Sequence, residues 1–488
     1  MEKYLLGIDV GTTGTKTMLF SEKGNCVAYA YQGYATYTPC VGWSEQNPED
    51  WWKAVVDTVR QTCSDPAVAQ AVVGISLSVQ GGTTVPVDKD YQPVRPAMVW
   101  NDGRCAAQMA QFQEEVGNDQ VMYQKTGWHL WKGMNAMQIR WMKDNEPENF
   151  QKTAMFLSVP DYIAYKMTGV AALDLSNIGI NQLGNIVEGE YDPQILAFAG
   201  ITKKKLPEII PSGKVIGKLT ESAAKELGLS TDCVLVSGAH DQYAVALGAG
   251  AVNDGDILIG SGTCWVVTAI DSKPNFQAGL AQSVAACEGK WGSLWSLSSG
   301  GVCLEWLRKN LCDVSYDLIN EEGAKRKAAE DGLFFYPFAG KSAESKHFSR
   351  GSFVGMDLSH DRYHLARAIM EGVVFQIVWA MEQFSAKPSE EGLILSGGAA
   401  KSPLWRQLVA DISGLPVRIP EAPDLACVGA AILAGLGSGV FADTNEGYQR
   451  LAVSTATIQP DLKKTEQMKK YYEEYKTCAA ALGAVYGL

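Results

Sequence analysis

The chain has 488 residues, 46% of them hydrophobic and 20% charged, with a formal charge of -12. A length well past the about 250–300 residues at which a single core stops growing implies more than one domain, and the acidic balance argues against a nucleic-acid or anionic-membrane surface. Eleven cysteines without a C-x-x-C pair, beside five histidines, fit reduced thiols in a cytoplasmic protein better than disulfides or a zinc site, and neither a signal-peptide pattern nor a run of the ~18 apolar residues a membrane span needs is found.

Residues 4–20, YLLGIDVGTTGTKTMLF, predict a strand, a tight turn and a returning strand. Tyr4, Leu5, Leu6, Ile8 and Val10 surround one carboxylate, Asp9, and the turn holds Gly11, Thr12, Thr13, Gly14, Thr15 and Lys16. A carboxylate in a buried strand is costly unless a cation or hydrogen-bond donor meets it. Backbone N–H groups at such a turn can cradle phosphate, with Asp9 holding magnesium through water and Lys16 offsetting charge. An ordinary hairpin with a locally paired Asp accounts for the same residues.

Asn47-Pro48-Glu49-Asp50 predicts a helix start, and Trp51, Trp52, Val55, Val56 and Val59 give it one apolar face. Val72 to Ser78 reads as the next strand, ending in Gln80-Gly81-Gly82; Val85-Pro86-Val87-Asp88 follows, then Pro96 to Trp100 leads into Asn101-Asp102-Gly103-Arg104. Strands alternating with helices imply an α/β architecture. Residues just past strand ends face the ligand crevice of such sheets, which places Gln80 and the 100–104 run there. Asn, Asp and Arg suit a polyhydroxylated substrate, although Asn101 and Asp102 also suit a capped turn.

Lys125 to Trp131, KTGWHLW, reads as an aromatic-rich loop before a helix through Ile139, Trp141 and Met142. Its aromatic rings suit a sugar face or a protein interface. Ser158-Val159-Pro160-Asp161-Tyr162 opens another helix reaching Gly169, and Thr220 to Gly228 frames a short one. Cys233 to Gln242, CVLVSGAHDQ, is a strand turning sharply into a small-residue helix. Asp241 in its first turn is kept ionised by the helix N-terminus and can accept a hydroxyl proton; taken alone, capping is the preferred reading.

Asp256 to Ala269, DILIGSGTCWVVTA, repeats the opening pattern around Gly260-Ser261-Gly262-Thr263 but lacks counterparts of Asp9 and Lys16. Two such units about 250 residues apart suggest a duplicated domain with two phosphate-facing hairpins. Ser298 to Gly301 begins a helix, and a Pro337-Phe338-Ala339-Gly340 loop, a run from Arg350 to Gly355 and a long helix from about His364 to Phe384 follow. A strand over Leu393 to Ser396 runs into Gly397-Gly398-Ala399-Ala400, whose small side chains let backbone approach a ring or phosphate. Ser402-Pro403 starts another helix, Gly429 to Gly439 is a close-packing small-residue helix, and a charged amphipathic helix from about Glu466 ends the chain. No G-x-x-x-x-G-K-[ST], G-x-G-x-x-G or G-x-S-x-G motif supports a P-loop enzyme, dinucleotide dehydrogenase or serine hydrolase.

These motifs in this order resemble the FGGY carbohydrate kinase family, whose members have two duplicated ribonuclease-H-like domains of the actin, Hsp70 and hexokinase type. The resemblance runs from Gly7-Ile8-Asp9-Val10-Gly11-Thr12-Thr13 to Gly429-Ala430-Ala431. Trp100-Asn101-Asp102-Gly103-Arg104 is similar to the xylulokinase substrate loop, Gly397 to Gln407 to the adenosine-side signature, and Asp241 falls where the family has its catalytic base, which outweighs capping. The implied activity is ATP-dependent phosphorylation of a primary hydroxyl on a small sugar or polyol, a ketopentose such as D-xylulose first. Ribulose, gluconate, glycerol or erythritol are alternatives, as are a non-kinase actin-like ATPase and a sugar-binding pseudo-kinase.

The resemblance implies an ATP side of Gly11, Thr12, Thr13, Lys16, Gly260, Ser261, Gly262, Thr263, Gly301, Gly397, Gly398 and Ala399. It implies a sugar side of Gln80, Gly81, Gly82, Trp100, Asn101, Asp102, Arg104, Trp128, Asp241 and Gln242, with Asp9 and Asp241 for Mg2+. Residues 1–245 would form the sugar-side domain and 246–488 the nucleotide-side domain. A homodimer is left open. Xylulokinases carry Met-His and glycerol kinases Arg-Glu where this chain has Gly81-Gly82, and His240-Asp241-Gln242 is nearer the glycerol kinase Asp-Gln than the xylulokinase Gly-Asp-Asn. Room at the two glycines, faced by Trp128, His129 and Trp131, would admit a different ketose, polyol or sugar acid.

Overall fold

The computed structural model describes residues 2–337, 351–451 and 454–486, with side chains in the last helix as far as residue 482. The expected opening hairpin forms as Tyr4–Val10 (β1) and Gly14–Ser21 (β2), followed by Cys26–Gly33 (β3). Asn47 caps helix Pro48–Thr62 (α1), accepting from the Glu49 N–H at 3.2 Å, and Trp51, Trp52, Val55 and Val59 are buried beneath it. Val72–Val79 (β4), Val215–Lys218 (β5) and Val234–His240 (β6) complete a six-stranded sheet in the order β5-β6-β4-β1-β2-β3. Strands β1, β4 and β6 are parallel and in register, Val10 beside Val79 and Val79 beside His240. The residues that follow them, Gly11, Gln80 and Asp241, therefore leave the sheet at one level, Asp241 opening helix Asp241–Gly248 (α2).

The second half builds a seven-stranded sheet. Its strands are Ile257–Ser261 (β7), Trp265–Asp271 (β8), Ala281–Val284 (β9), Trp291–Leu297 (β10), Leu393–Gly397 (β11), Val417–Glu421 (β12) and Ser454–Ile458 (β13), in the order β9-β10-β8-β7-β11-β12-β13. Helices Gly301–Leu307 (α3), Arg362–Met381 (α4), Pro403–Ser413 (α5) and Leu425–Gly437 (α6) lie along this half. The series β3-β2-β1-β4-β6 and β10-β8-β7-β11-β12 match strand for strand, with antiparallel and parallel pairings in the same places. That is the duplicated α/β fold the two hairpin motifs led us to expect. The copies differ at both edges: β5 precedes its antiparallel neighbour β6 in the chain whereas β13 follows β12, and β9 beside β10 has no counterpart beyond β3.

Small departures have local causes. Lys125 and Thr126, expected in a loop, end helix Asp119–Thr126, because Asn118 accepts from the Val121 N–H at 3.2 Å and Gly127 turns left-handed at its end. The expected loop beyond Pro337 and the start of the following run at Arg350 lie outside the described residues.

The halves are joined by exchanging helices. α2 and α6 run antiparallel at backbone contact: a Cβ on Gly248 would stand 2.0 Å from the Leu425 carbonyl oxygen, and one on Gly429 1.9 Å from that of Ala244. α6, from the second half, lies on the first sheet, where a Cβ on Gly7 of β1 would meet the Cys427 carbonyl oxygen at 1.9 Å. α2 lies against the second sheet, with the Tyr243 ring over Gly292 of β10. One core thus unites Leu5, Met18 and Phe20 with Leu258, Ile270 and Ile394 through Ala244, Leu247, Ala431 and Ile432. Residues 245 and 246, where the sequence suggested dividing the chain, both lie in α2. Among the described residues no helix is long and apolar enough to cross a membrane, and no disulfide joins any of the cysteines.

Replacing Gly429 with Ala should lower stability by about 1–3 kcal/mol, because its Cβ meets backbone that cannot swing aside. A urea midpoint equal to that of the parent protein would refute the close helix crossing.

Candidate active site

Asp9 is flanked on both neighbouring strands by the group it lacks. Its register partners are Lys16 on β2 and Ser78 on β4. Ser78 Oγ donates to Asp9 Oδ1 at 2.8 Å, and Lys16 Nζ stands 3.1 Å from Oδ2. A residue that sequence reasoning missed completes the group: Asp424, at the start of α6, places Oδ2 2.8 Å from Lys16 Nζ while its Oδ1 caps the helix on the Cys427 N–H at 3.0 Å. One ammonium therefore serves two carboxylates. Burial, then the charge of Asp424, push the Asp9 pKa up to about 6, against the pull of Lys16 and Ser78, and Asp241 adds a further upward push. Burial works against the charge on Lys16, but the two carboxylates outweigh it and hold its pKa above the ordinary value.

The first turn is tied to the loop at Trp100 by hydrogen bonds. Trp100 Nε1–H donates to Thr12 Oγ1 at 3.1 Å, and Thr12 Oγ1–H donates to Gln80 Oε1 at 3.1 Å. Gln46, which nothing in the sequence singled out, donates to the Thr12 carbonyl at 2.6 Å and accepts from Trp51 Nε1–H at 3.0 Å. Tyr34 O–H donates to the Gly11 carbonyl. Trp100 is 40% exposed, and Asn101 and Thr13 are exposed as well. Asp102 and Arg104 point inward instead. Arg104 Nη2 lies 2.7 Å from both Asp102 Oδ2 and Glu45 Oε1, and its guanidinium stacks 3.6 Å from the Trp43 ring centroid. Asp102 Oδ2 also accepts from the Ser44 N–H at 2.6 Å. The pair braces the loop from behind, with Trp100 and Asn101 at its face.

The space beside the two glycines is not open. A Cβ on Gly81 would meet Ile180 Cγ2 at 2.7 Å and His240 Cδ2 at 2.9 Å, and one on Gly82 would meet Met134 Sδ at 2.6 Å. Side chains from neighbouring elements fill what the glycines leave. The Gly82 N–H donates to Asn181 Oδ1 at 3.2 Å. Trp128 stands edge-on to His240, ring centroids 5.9 Å apart, and its Nε1–H reaches Ser283 Oγ at 3.1 Å. His129 stacks on Tyr123 and pairs with Asp119.

Asp241 is the first residue of α2, where His240 is the N-cap and no side chain caps the helix. Its carboxylate is thus not spent on backbone, against the capping preference; it accepts from Gln242 Nε2 at 3.1 Å and is 34% exposed.

On the second half, a cleft of about 580 Å³ brings together Ser261, Gly262, Thr263, Gly301, Gly398 and Ala399, with Gly260 and Gly397 adjoining in the chain. Ser261 holds the parts: its carbonyl accepts from the Gly398 N–H at 2.6 Å and its Oγ from the Ala399 N–H at 2.9 Å. The start of α3 docks on the turn through the Gly301 N–H, which donates to the Gly262 carbonyl at 3.2 Å. Trp265 and Trp405, tilted with centroids 5.1 Å apart, also line the cleft, as do Tyr316 and Asn320. Such a mix of close backbone and ring faces can take a planar base and phosphates.

The Asp9 carboxylate feels the charges of both Asp424 and Asp241, and Lys16 bridges Asp9 and Asp424. This surplus of negative charge fits a divalent cation. Among the described residues no three His, Cys, Asp or Glu side chains cluster as a metal cage. A 13C-carboxylate NMR titration should place the Asp9 midpoint near 6 and move it lower in Asp424→Asn, since a like charge that disfavours ionisation is removed. An unmoved midpoint would show that the two groups do not interact.

The N-terminal domain profile of the FGGY family of carbohydrate kinases matches residues 4–248, and the C-terminal domain profile matches residues 256–438. The chain is 29% identical over 494 residues to an L-xylulose/3-keto-L-gulonate kinase of Escherichia coli (strain K12), spanning 99% of this chain and 98% of that protein. It is 30% identical over 483 residues to a xylulose kinase of Bacillus subtilis (strain 168), spanning 97% and 96%. Among solved structures, xylulose kinase from Rhodospirillum rubrum superposes with a TM-score of 0.91 at 25% identity over 100% of both chains. With both domain profiles matched in order over most of its length, this chain belongs to the FGGY family of carbohydrate kinases.

Proposed function

We infer that the protein uses ATP to phosphorylate the primary hydroxyl of an open-chain sugar, a ketopentose such as xylulose in first place. The observation that carries this reading is the common level of Gly11, Gln80 and Asp241 at the ends of three adjoining parallel strands. Adjacent strands stand about 4.8 Å apart, so a phosphate turn and an uncapped carboxylate lie about 10 Å from each other, the span of a sugar terminus and a γ-phosphate. Residues 1–245 would serve the sugar side and 246–488 the nucleotide side, in a cytoplasmic enzyme.

In this reading Gly11, Thr12 and Thr13 face the phosphates from one side and the Gly260 to Thr263 turn from the other, while Gly301, Gly397, Gly398 and Ala399 cradle the nucleoside end. Trp100, Asn101, Gln80, Trp128 and Gln242 orient the sugar over the Gly81-Gly82 floor, with Asp102 and Arg104 behind the loop. Asp241 takes the hydroxyl proton as the new O–P bond forms and the bond to ADP breaks. Asp9, with Asp241 near it, would hold Mg2+, which when bound neutralises phosphate charge. Lobe closure about α2 and α6 excludes water and aligns both ligands. The relative that acts on 3-keto-L-gulonate favours a sugar acid as the second reading.

ADP release measured with D-xylulose, L-xylulose, ribulose, gluconate, 3-keto-L-gulonate, glycerol and erythritol should be sugar-dependent and fastest with a ketopentose. Turnover without sugar would indicate an ATPase, and sugar binding without turnover a pseudo-kinase. Asp241→Asn should reduce turnover by about 10²–10⁴-fold with ATP affinity near normal, and full activity in that variant would refute the base assignment.

A further inference from the structure

His240 is 4% exposed and held from several sides. Its backbone N–H donates to Ser176 Oγ at 2.8 Å, Ser176 in turn donates to the buried Asp174 at 2.5 Å, and the ring lies over Gly81 between Trp128 and Tyr243. The imidazole is fixed, and the group it faces is not: Nε2 stands 3.4 Å from Oδ1 of the partly exposed Asp241. Nδ1 is buried with no hydrogen-bond partner among the described residues.

These facts select a tautomer. A proton on Nδ1 would bury an unpaired N–H and turn the Nε2 lone pair toward a carboxylate oxygen, two penalties at once. With the proton on Nε2, the protonated nitrogen stands beside Oδ1 at 3.4 Å and only a lone pair is left unpaired. Gln242 donates to the same Oδ1. No partner is found for Oδ2 among the described residues, so the two oxygens of Asp241 have different surroundings. Catalytic hydrogen bonds are often long before substrate arrives and tighten on closure.

We propose that His240 is a positioning residue for Asp241: its Nε2–H, with Gln242, anchors Oδ1 and leaves Oδ2 as the oxygen that accepts the substrate proton. This rests on Asp241 being the base. An imidazole lying over Gly81 from the neighbouring strand is then part of the catalytic geometry, and the glycine is what makes room for it.

The test compares His240→Leu, which keeps bulk without a donor, and His240→Gln, whose amide nitrogen restores one, using D-xylulose, L-xylulose and 3-keto-L-gulonate with Mg·ATP. In His240→Leu, kcat should fall about 10- to 100-fold while the sugar KM stays within about twofold; His240→Gln should regain most of the loss. Retained ATP affinity in both variants would confirm that the protein is folded. Normal kcat in His240→Leu, equal loss in both variants, or loss of ATP binding would overturn the proposal. Asp241→Asn run alongside separates the failures: if it is fully active the base reading itself falls, whereas an inactive Asp241→Asn beside a normal His240→Leu removes only the role given to His240.

Discussion

The Lys16 ammonium shared between Asp9 and Asp424 is the interaction on which the site depends. Asp9 sits within a strand buried on both faces, where an unpaired carboxylate is strongly unfavourable. Its relief comes from both neighbouring strands, but Lys16 is itself fixed by an acid that arrives from more than 400 residues away, at the head of a helix laid across the first sheet. The turn between Asp9 and Lys16 is therefore set by both halves of the chain. A surplus carboxylate charge at this point gives a cationic ligand a reason to bind, and gives the turn a reason to be ordered when it does.

The loop at Trp100 follows the same principle by another route. Arg104, Asp102, Glu45 and Arg95 form an interior ion-pair group, with Arg95 Nη2 2.5 Å from Glu45 Oε1 and Arg104 stacked on Trp43. Buried pairs of this kind contribute less to net stability than to holding one geometry, because removing a single partner strands a charge. What they hold here is Trp100, whose indole is half in solvent and whose N–H is tied to the first turn through Thr12. An exposed ring is thus presented by groups that are themselves buried.

Much of this was legible in the chain. The two strand-turn-strand motifs, the Asn47 and Thr220 caps and the small-residue runs are local patterns, and local patterns survive folding: both hairpins, both caps and the close-packed helix formed as read. The residues lining the cleft of the second half were legible because most of them are contiguous in two short motifs, with Gly301 added from a third. What escaped was contributed from a distance. Asp424 looks like any helix cap, Gln46 like any polar residue before a helix, and neither shows its partner until the sheets stack. The room expected at Gly81 and Gly82 was a sequence inference about missing side chains, and the structure fills it with Ile180, His240 and Met134 from other elements. Taken alone, Asp241 looks like a helix cap; the family resemblance pointed to a base instead, and His240 occupies the N-cap position.

The helix exchange also bears on how the chain comes to be folded. The first sheet has all its strands once residue 240 is made, but the helix that covers one of its faces ends at residue 437. At a synthesis rate of about 5–20 residues per second, the intervening ~200 residues take about 10–40 s. Throughout that interval an apolar β-surface, with the Asp9 carboxylate at its margin, waits without its lid. Cutting the chain into its two halves would leave each with a face meant for the other.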